Sequence, residues 1–433
     1  VVSEMCIRDS TKEELRAGKN VRNALADGYS NAFSAIFDSN LTSIITGVIL
    51  LLFGTGPIKG FATTLIIGLV CSFFTAVYLS RLFFLWFSKT DAFNKLTFST
   101  GLSKKMFVNA GVNFLGQRKV SFTVVAVLVA VVVISLFARG LNQGIDFSGG
   151  RNYIVKFEQP VNTVELQQVL AEQFPGASTS VITIESSNQV RVSTNYKIND
   201  ENADTEREIT GKLYTALQPY LRAGMTAEEF STTDASQGIV SSQKVGPSVA
   251  DDMRTDAYIA VAIALIAMFL YILLRFRNVA FSLGALAAVA FTAFTIIGFY
   301  SLFYGVFPFA MEVDQTFIAA ILTVIGYQIN DTVVVFDRVR ENTALYPKQD
   351  FFTTINKSIN TTLSRTIMTS ASTLLVLLCI FILGGDAIRS FTFAMLFGVI
   401  IGTCATIWVA CPVAYLTDSR RKATAAKAAA ATR

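Results

Sequence analysis

The charge that costs most to keep is Asp331, inside QTFIAAILTVIGYQINDTVVVFDRVREN (315–342). It lies 17 residues beyond Asp314, about 25 Å along a helix, and seven residues, about 10 Å, before Arg338. Charged groups at such depth in an apolar run are rare and mark ion or proton pathways. A carboxyl group held in hydrocarbon beside a cation can take up or release a proton as their balance shifts, which makes a protonation switch. The alternative from the residues alone is a static buried ion pair or a hydrogen-bonded structural aspartate. Tyr327 at i−4 shares its face, and Asn330 and Thr332 flank it, so the helix carries a polar seam turned toward its neighbours.

The natural counter-charge is Arg365, which opens the next apolar stretch in TTLSRTIMTSAST (361–373). Thr362, Thr366 and Thr369 surround it at spacings of three and four, giving that helix a polar stripe as well. Arginine does not lose its proton in proteins, so its part is to hold or release the carboxylate. Position alone allows equally well a plain positive-inside anchor. Asp337 with Arg338, Arg340 and Glu341 reads as a solvated helix end, and Glu312 and Asp314 sit at the outer interface, where they could gather protons but surface solvation is the simpler expectation.

These residues must be positioned by a membrane protein. Of 433 residues 52% are hydrophobic and 15% charged, against about 25% charged in soluble domains, and the mean hydropathy is +0.51. That composition argues against a soluble enzyme and against disorder. With no histidine, the chain lacks the commonest metal ligand and the Ser/His and Cys/His catalytic arrangements, so proton chemistry falls to carboxylates. Neither a metal nor a cofactor is expected. The five cysteines show no disulfide framework or zinc spacing and read as small buried apolar residues.

Charge-poor apolar stretches at 40–53, 60–87, 120–138, 255–274, 279–303, 315–336, 366–383 and 389–415 give about eight transmembrane helices. The first is short, with a start as early as Ile36 allowed. Segments 1–39, 88–119, 275–278, 337–365 and 416–433 fall on one side and hold 23 of the 36 Lys and Arg residues. The positive-inside rule makes that side cytoplasmic, both ends included, and puts 139–250 in the periplasm. The last segment, KATAAKAAAATR, is low in complexity and expected to fray.

Residues 139–250 read as a small domain with strands at 151–157, 179–185, 188–194 and 237–245 and helices at 161–174 and 203–222. The order βαββαβ is the ferredoxin-like arrangement, with a hairpin turn expected at Ser186 and Ser187. Over 144–250 there are 13 acidic and 8 basic residues, which speaks against nucleic acid as a partner. GIDFSGGR (144–151) and VGPSV (245–249) stand where the chain enters and leaves this domain. Gly144, Gly149, Gly150, Gly246 and Pro247 therefore read as its hinges. No GxxxxGK[ST] phosphate loop occurs.

An internal repeat joins the ends. FGTGPIKGFATTLIIG (53–68) lines up without gaps on LGGDAIRSFTFAMLFG (383–398), matching Gly54 with Gly384, Ile58 with Ile388, Lys59 with Arg389, Phe61 with Phe391 and Gly68 with Gly398. Allowing a three-residue gap, Asp38 stands opposite Arg365 in that register, as a partner charge across the halves. Transporters built from such repeats work where the halves meet.

GIDFSGG, VGPSV, IGYQINDTVVVFDRVREN and TTLSRTIMTS, in this order across 116–415, resemble SecF of the SecD/SecF protein-export membrane family, within the resistance-nodulation-division transporter superfamily. Residues 12–68 resemble the end of SecD, so the whole resembles a fused chain. The resemblance implies an accessory subunit of the Sec translocase, a protein-translocation component and not an enzyme. Such a subunit uses the proton gradient to promote late translocation of unfolded polypeptide through SecYEG in the bacterial inner membrane. YajC and YidC are further implied partners, beside membrane lipid and protons. It also implies that the family's membrane aspartate falls on Asp331 and its arginine on Arg365. The usual GYSIND reads GYQIND here, with Gln328 neutral and a modest change expected. A second aspartate, carried in SecD by a motif like DANVLIFER, is expected near Val2, where the chain reads VVSEMCIRDS. A truncated or misassembled start is the expectation there, with 1–10 not native SecD sequence and the larger outer domain and four spans of SecD absent. The alternatives are a proton-driven small-molecule or lipid exporter of the same superfamily, and a structural scaffold of the Sec channel.

Overall fold

The computed structural model describes residues 2–54, 57–88, 90, 93, 111–177, 179–184, 186–200, 202–232, 237–307, 309, 311–384 and 386–431. Much of the expected cytoplasmic linker 88–119 lies outside them. A short helix α1 (Val2–Arg16) leads into α2 (Val21–Phe53), followed by α3 (Pro57–Phe74), a π-helical turn (Thr75–Leu79), α4 (Ser80–Phe87) and α5 (Arg118–Arg139). The sheet domain then runs α6 (Ile145–Ser148), β1 (Gly150–Lys156), α7 (Thr163–Gln173), β2 (Thr179–Ile184), β3 (Ser186–Thr194), α8 (Ala203–Leu217), α9 (Ala227–Ser231) and β4 (Gly238–Val245). The chain returns through α10 (Pro247–Phe276), α11 (Val279–Phe303), α12 (Gln315–Leu345), α13 (Phe351–Leu383) and α14 (Asp386–Ala405). A second π-helical turn (Thr406–Ala410) joins α14 to α15 (Cys411–Ala431).

Eight helical segments among the described residues are long and apolar enough to cross a membrane, as the hydropathy pattern requires. Several extend past the apolar stretches, because a helix persists through its polar ends while hydropathy registers only the part fit for lipid. The helix that carries the first span begins at Val21, so much of the segment 1–39 expected to stand apart is helix continuous with it. Arg365 likewise lies deep inside α13 and does not open it. The tail expected to fray is helical to Ala431, as an alanine-rich run favours. Of the cysteines, Cys6 and Cys411 are buried, but Cys71, Cys379 and Cys404 are exposed on the helix surfaces, where lipid would cover an apolar thiol at no cost.

The sheet has the order β2-β3-β1-β4 with every pair antiparallel. Alternating residues Tyr153, Val155, Val190 and Val192 turn inward against Leu166 and Leu170 of α7 and Leu213 of α8, the period-two pattern of a one-sided sheet. Ser186 and Ser187 belong to β3 and not to the turn, and Ile184 pairs directly with Ser186 across a bulge. The second helix ends at Leu217, short of the expected boundary, because Pro219 tightens the chain into a 3-10 turn over Gln218–Tyr220.

The membrane part packs around α12, whose apolar window is 78% buried against 11% for the helix pair 58–87. Its neighbours are α2, α10, α11, α13 and α14.

Candidate functional site

Asp331 lies mid-way along α12 and is 7% exposed. Successive helical residues point about 100° apart, so Asn330, Asp331 and Thr332 address three different neighbours. Asn330 Oδ1 accepts from Thr42 Oγ1 of α2 at 2.8 Å. The Asp331 carboxylate accepts from Thr369 Oγ1 and Ser370 Oγ of α13, both at 3.4 Å. Thr332 Oγ1 meets Thr406 Oγ1, the first residue of the second π-helical turn, at 3.0 Å. The α2 contact joins the SecD-like end of the chain to its SecF-like part. π-Helical turns inside helices occur often at functional sites, since the extra residue re-aims side chains.

The hydroxyls continue away from the carboxylate. Ser370 Oγ is 2.7 Å from Thr403 Oγ1 of α14, and Tyr327 Oη is 2.9 Å from Thr373 Oγ1 of α13, one turn toward the sheet domain. Each hydroxyl both donates and accepts, so such a track can pass a proton by exchanging roles. Gln328 is 2% exposed, and both ends of its amide are buried without a hydrogen-bond partner among the described residues. Thr366 is also buried, and its carbonyl accepts from Thr369 Oγ1.

Arg365 stands one turn along α13 from Thr369, whose hydroxyl donates to its carbonyl at 3.1 Å. No ion pair within 4.0 Å joins it to Asp331 among the described residues. Its Nη2 instead donates to Cys6 Sγ of α1 at 2.5 Å. The guanidinium and the carboxylate thus share a helix neighbourhood, linked through Thr369, without a direct bond.

Asp38 does not face Arg365. Its Oδ2 pairs with Arg275 Nε of α10 at 2.5 Å, and Arg275 Nη2 lies 3.7 Å from Asp337 Oδ1, which Arg340 also holds at 2.7 Å. Asp38 does bridge the halves, but to α10: the register of the repeat orders the helices and says nothing of which α10 side chain reaches between them. Asp337, expected to be a solvated helix end, is a member of this network for the same reason. Arg275, Cys6, Thr42, Ser370 and Thr403 escaped sequence reasoning. Only Ser370, one residue past the threonine stripe of α13, carried a signal that could have found it.

The expected hinges form a single stem. Gly150 of β1 pairs with Val245 of β4, so both crossings lie side by side, and α6 packs on α10. Gly149 adopts φ +71°, open to glycine alone among unstrained residues, and a Cβ on Gly150 would strike Ile145. Gly144 caps α6, while Gly246 and Pro247 make an ordinary helix start with φ −68° at the glycine and open space around it.

Residues 1–90 and 225–420 match the family described as protein export membrane protein SecD/SecF, C-terminal, and residues 134–161 match the SecD/SecF GG motif. The protein translocase subunit SecDF of Thermus thermophilus is 34% identical over 95% of this chain and 52% of its own length. The protein translocase subunit SecF of Rhodothermus marinus is 37% identical over 71% of this chain and 94% of its own. A crystal structure of SecDF from Thermus thermophilus, described as a translocon-associated membrane protein, superposes with a TM-score of 0.77 at 30% identity. It covers 97% of this chain and 53% of that one. The chain spans about half the length of the SecDF relatives it matches. It therefore belongs to the SecD/SecF protein-export membrane family, as a fused SecDF chain that carries parts of both halves.

Proposed function

We propose that this chain serves the Sec translocase as an accessory subunit that draws on the proton-motive force to promote the late translocation of unfolded polypeptide across the bacterial inner membrane. One observation carries the reading: Asp331 sits in the most buried of the described spans, reached by the Thr369 and Ser370 hydroxyls of α13, with Arg365 one turn from Thr369 on the same helix. A membrane potential supplies about 2.3 kcal/mol per elementary charge per 100 mV, enough for each proton to bias a two-state movement.

In this reading Asp331 takes a proton from the side of the sheet domain, through the Tyr327, Thr373 and Ser370 hydroxyls. Neutralised, it loses its attraction to Arg365, and α12 shifts against α2 and α13. The sheet domain moves about the stem of Gly144, Gly149, Gly150, Gly246 and Pro247, and the proton then leaves inward. The excess of Lys and Arg in the loops supports a topology with both ends of this chain in the cytoplasm and 139–250 in the periplasm. SecYEG is the partner channel, with YajC and YidC as companions.

The test reconstitutes a SecDF containing this chain with SecYEG and follows the backward slippage of a half-exported polypeptide with and without a proton gradient. Wild type is expected to show gradient-dependent forward bias that Asp331→Asn abolishes. Equal behaviour of the two makes Asp331 structural and leaves a scaffold of the channel as the better reading.

A further inference from the structure

The segment between α11 and α12 ties the sheet domain to the outer end of the Asp331 helix. Glu312, its side chain 12% exposed, accepts from Ser180 Oγ of β2 at 2.8 Å and lies 4.0 Å from Arg191 Nη2 of β3. Asp314 caps α12, accepting from Phe317 N at 2.8 Å and Thr316 Oγ1 at 2.7 Å. Asp146, from the stem motif GIDFSGG, accepts from Gln315 N at 3.2 Å. Around them the backbone is stitched directly, Gly144 N to Val313 O at 3.1 Å and Val313 N to Asn142 O at 2.8 Å. Three carboxyl groups from the stem and the α12 entry thus converge where the domain rests.

We propose that Glu312, with Asp146 and Asp314, forms a proton-operated latch that clamps the sheet domain to the outer end of α12. The inference deepens the reading of α12 as the proton-bearing helix, while its mechanics stand on the contacts alone. Among the described residues, Arg191 is a cation beside Glu312 and Asp146, each of these carboxyls also feels Asp314, and Tyr300 of α11 lies near Asp314. Like charges brought together in a half-dry contact disfavour full ionisation of Glu312, Asp146 and Asp314, beyond what the single 4.0 Å contact to Arg191 offsets.

Burial, reinforced by the neighbouring Asp314 charge, holds both Glu312 and Asp146 above the usual carboxylate range. Undocked, both return to water and to about 4. The docked state therefore binds protons more tightly. Its extra stability is complete below about pH 4 and is lost as pH rises through the raised docked values. Abundant protons on that side close the latch, and their scarcity opens it.

Spin labels at Glu172→Cys on α7 and Val306→Cys beside α12, in a chain whose five native cysteines are replaced, report the distance across the latch in lipid nanodiscs. Wild type is expected to give one short distance at about pH 4 and to populate a second, longer one at about pH 8. Glu312→Gln, which imitates the protonated acid, keeps the short distance at both, and Arg191→Gln enlarges the long population at the higher pH. A pH response unchanged in Glu312→Gln, or a single distance throughout in wild type, overturns the latch. Asp331→Asn with the same labels keeps the full response. Normal export in that variant would end the translocation reading while the distances still judged the latch.

Discussion

The two ends of the chain share a backbone but not a chemistry. Val21–Phe53 and Phe351–Leu383 are 330 residues apart at both ends, and each closes on a glycine with nearly the same geometry, Gly54 at φ −72°, ψ 152° and Gly384 at φ −74°, ψ 152°. The π-helical turns at Thr75–Leu79 and Thr406–Ala410 keep that spacing to within one residue. Phe61 and Phe391, equivalent in the repeat, meet edge to face at 5.3 Å, as residues near a local twofold axis do. At the seam the halves diverge. In the gap-free register Ser39 and Asn40 stand where the second half has Thr369 and Ser370, but Ala35 stands for Arg365. Asn40 Nδ2 donates to Ile36 O and Ser3 Oγ in place of serving a carboxylate. Glycine and aliphatic positions hold the common scaffold, while the polar and charged residues at the seam differ between the halves.

The largest expected effect breaks that asymmetry directly. Asp331→Asn should remove the gradient-dependent bias in the slippage assay, whereas Asn40→Ala, at the matching seam of the first half, leaves it near wild type. Equal losses would show the halves to be functionally alike. Next come the paired glycines. A Cβ at either would press on the carbonyl and the isoleucine that close its helix, Leu50 and Ile58 in one half, Ile380 and Ile388 in the other. Gly54→Ala and Gly384→Ala should each cost about 2 kcal/mol, typical of overpacking, and lower the melting temperature equally. Unequal losses would show that the two ends are only superficially equivalent.

A smaller effect tests the contact on the axis. A double-mutant cycle with Phe61→Ala and Phe391→Ala should give a coupling of about 1 kcal/mol, the usual worth of an edge-to-face pair, and additive losses would remove the contact. The smallest sets the sheet domain against the membrane half. Lys197, Lys212 and Tyr196 hold the Glu208 carboxyl down at about 2. Its contribution is present above the ordinary carboxylate range and fades as pH falls through about 2. Glu208→Gln should therefore lower the domain's melting temperature slightly at neutral pH and not at the acid end. An equal drop at both would point to lost shape and not lost charge.

Much of this was legible in the residues. Eight spans follow from apolar runs, because lipid leaves a chain no other way to satisfy its backbone. The sheet domain follows from alternation, and Asp331 from its isolation in an apolar run. Span ends were not legible, since hydropathy marks where lipid begins and not where a helix does. Nor was the partner of Asp38, because Asp38 and Arg275 are 237 residues apart and any of several arginines satisfies a rule about charge.

By itself, then, the sequence determined which segments cross the membrane, which repeat, and that a carboxylate must be accommodated among them, because burial energetics act on local composition. Only the tertiary structure decided that three successive residues of α12 address three different helices, that Arg365 reaches Cys6 and not Asp331, and that Glu312 grips the sheet domain. Those outcomes depend on how helices rotate and approach, and a hydrogen bond is decided over tenths of an ångström that no local pattern encodes.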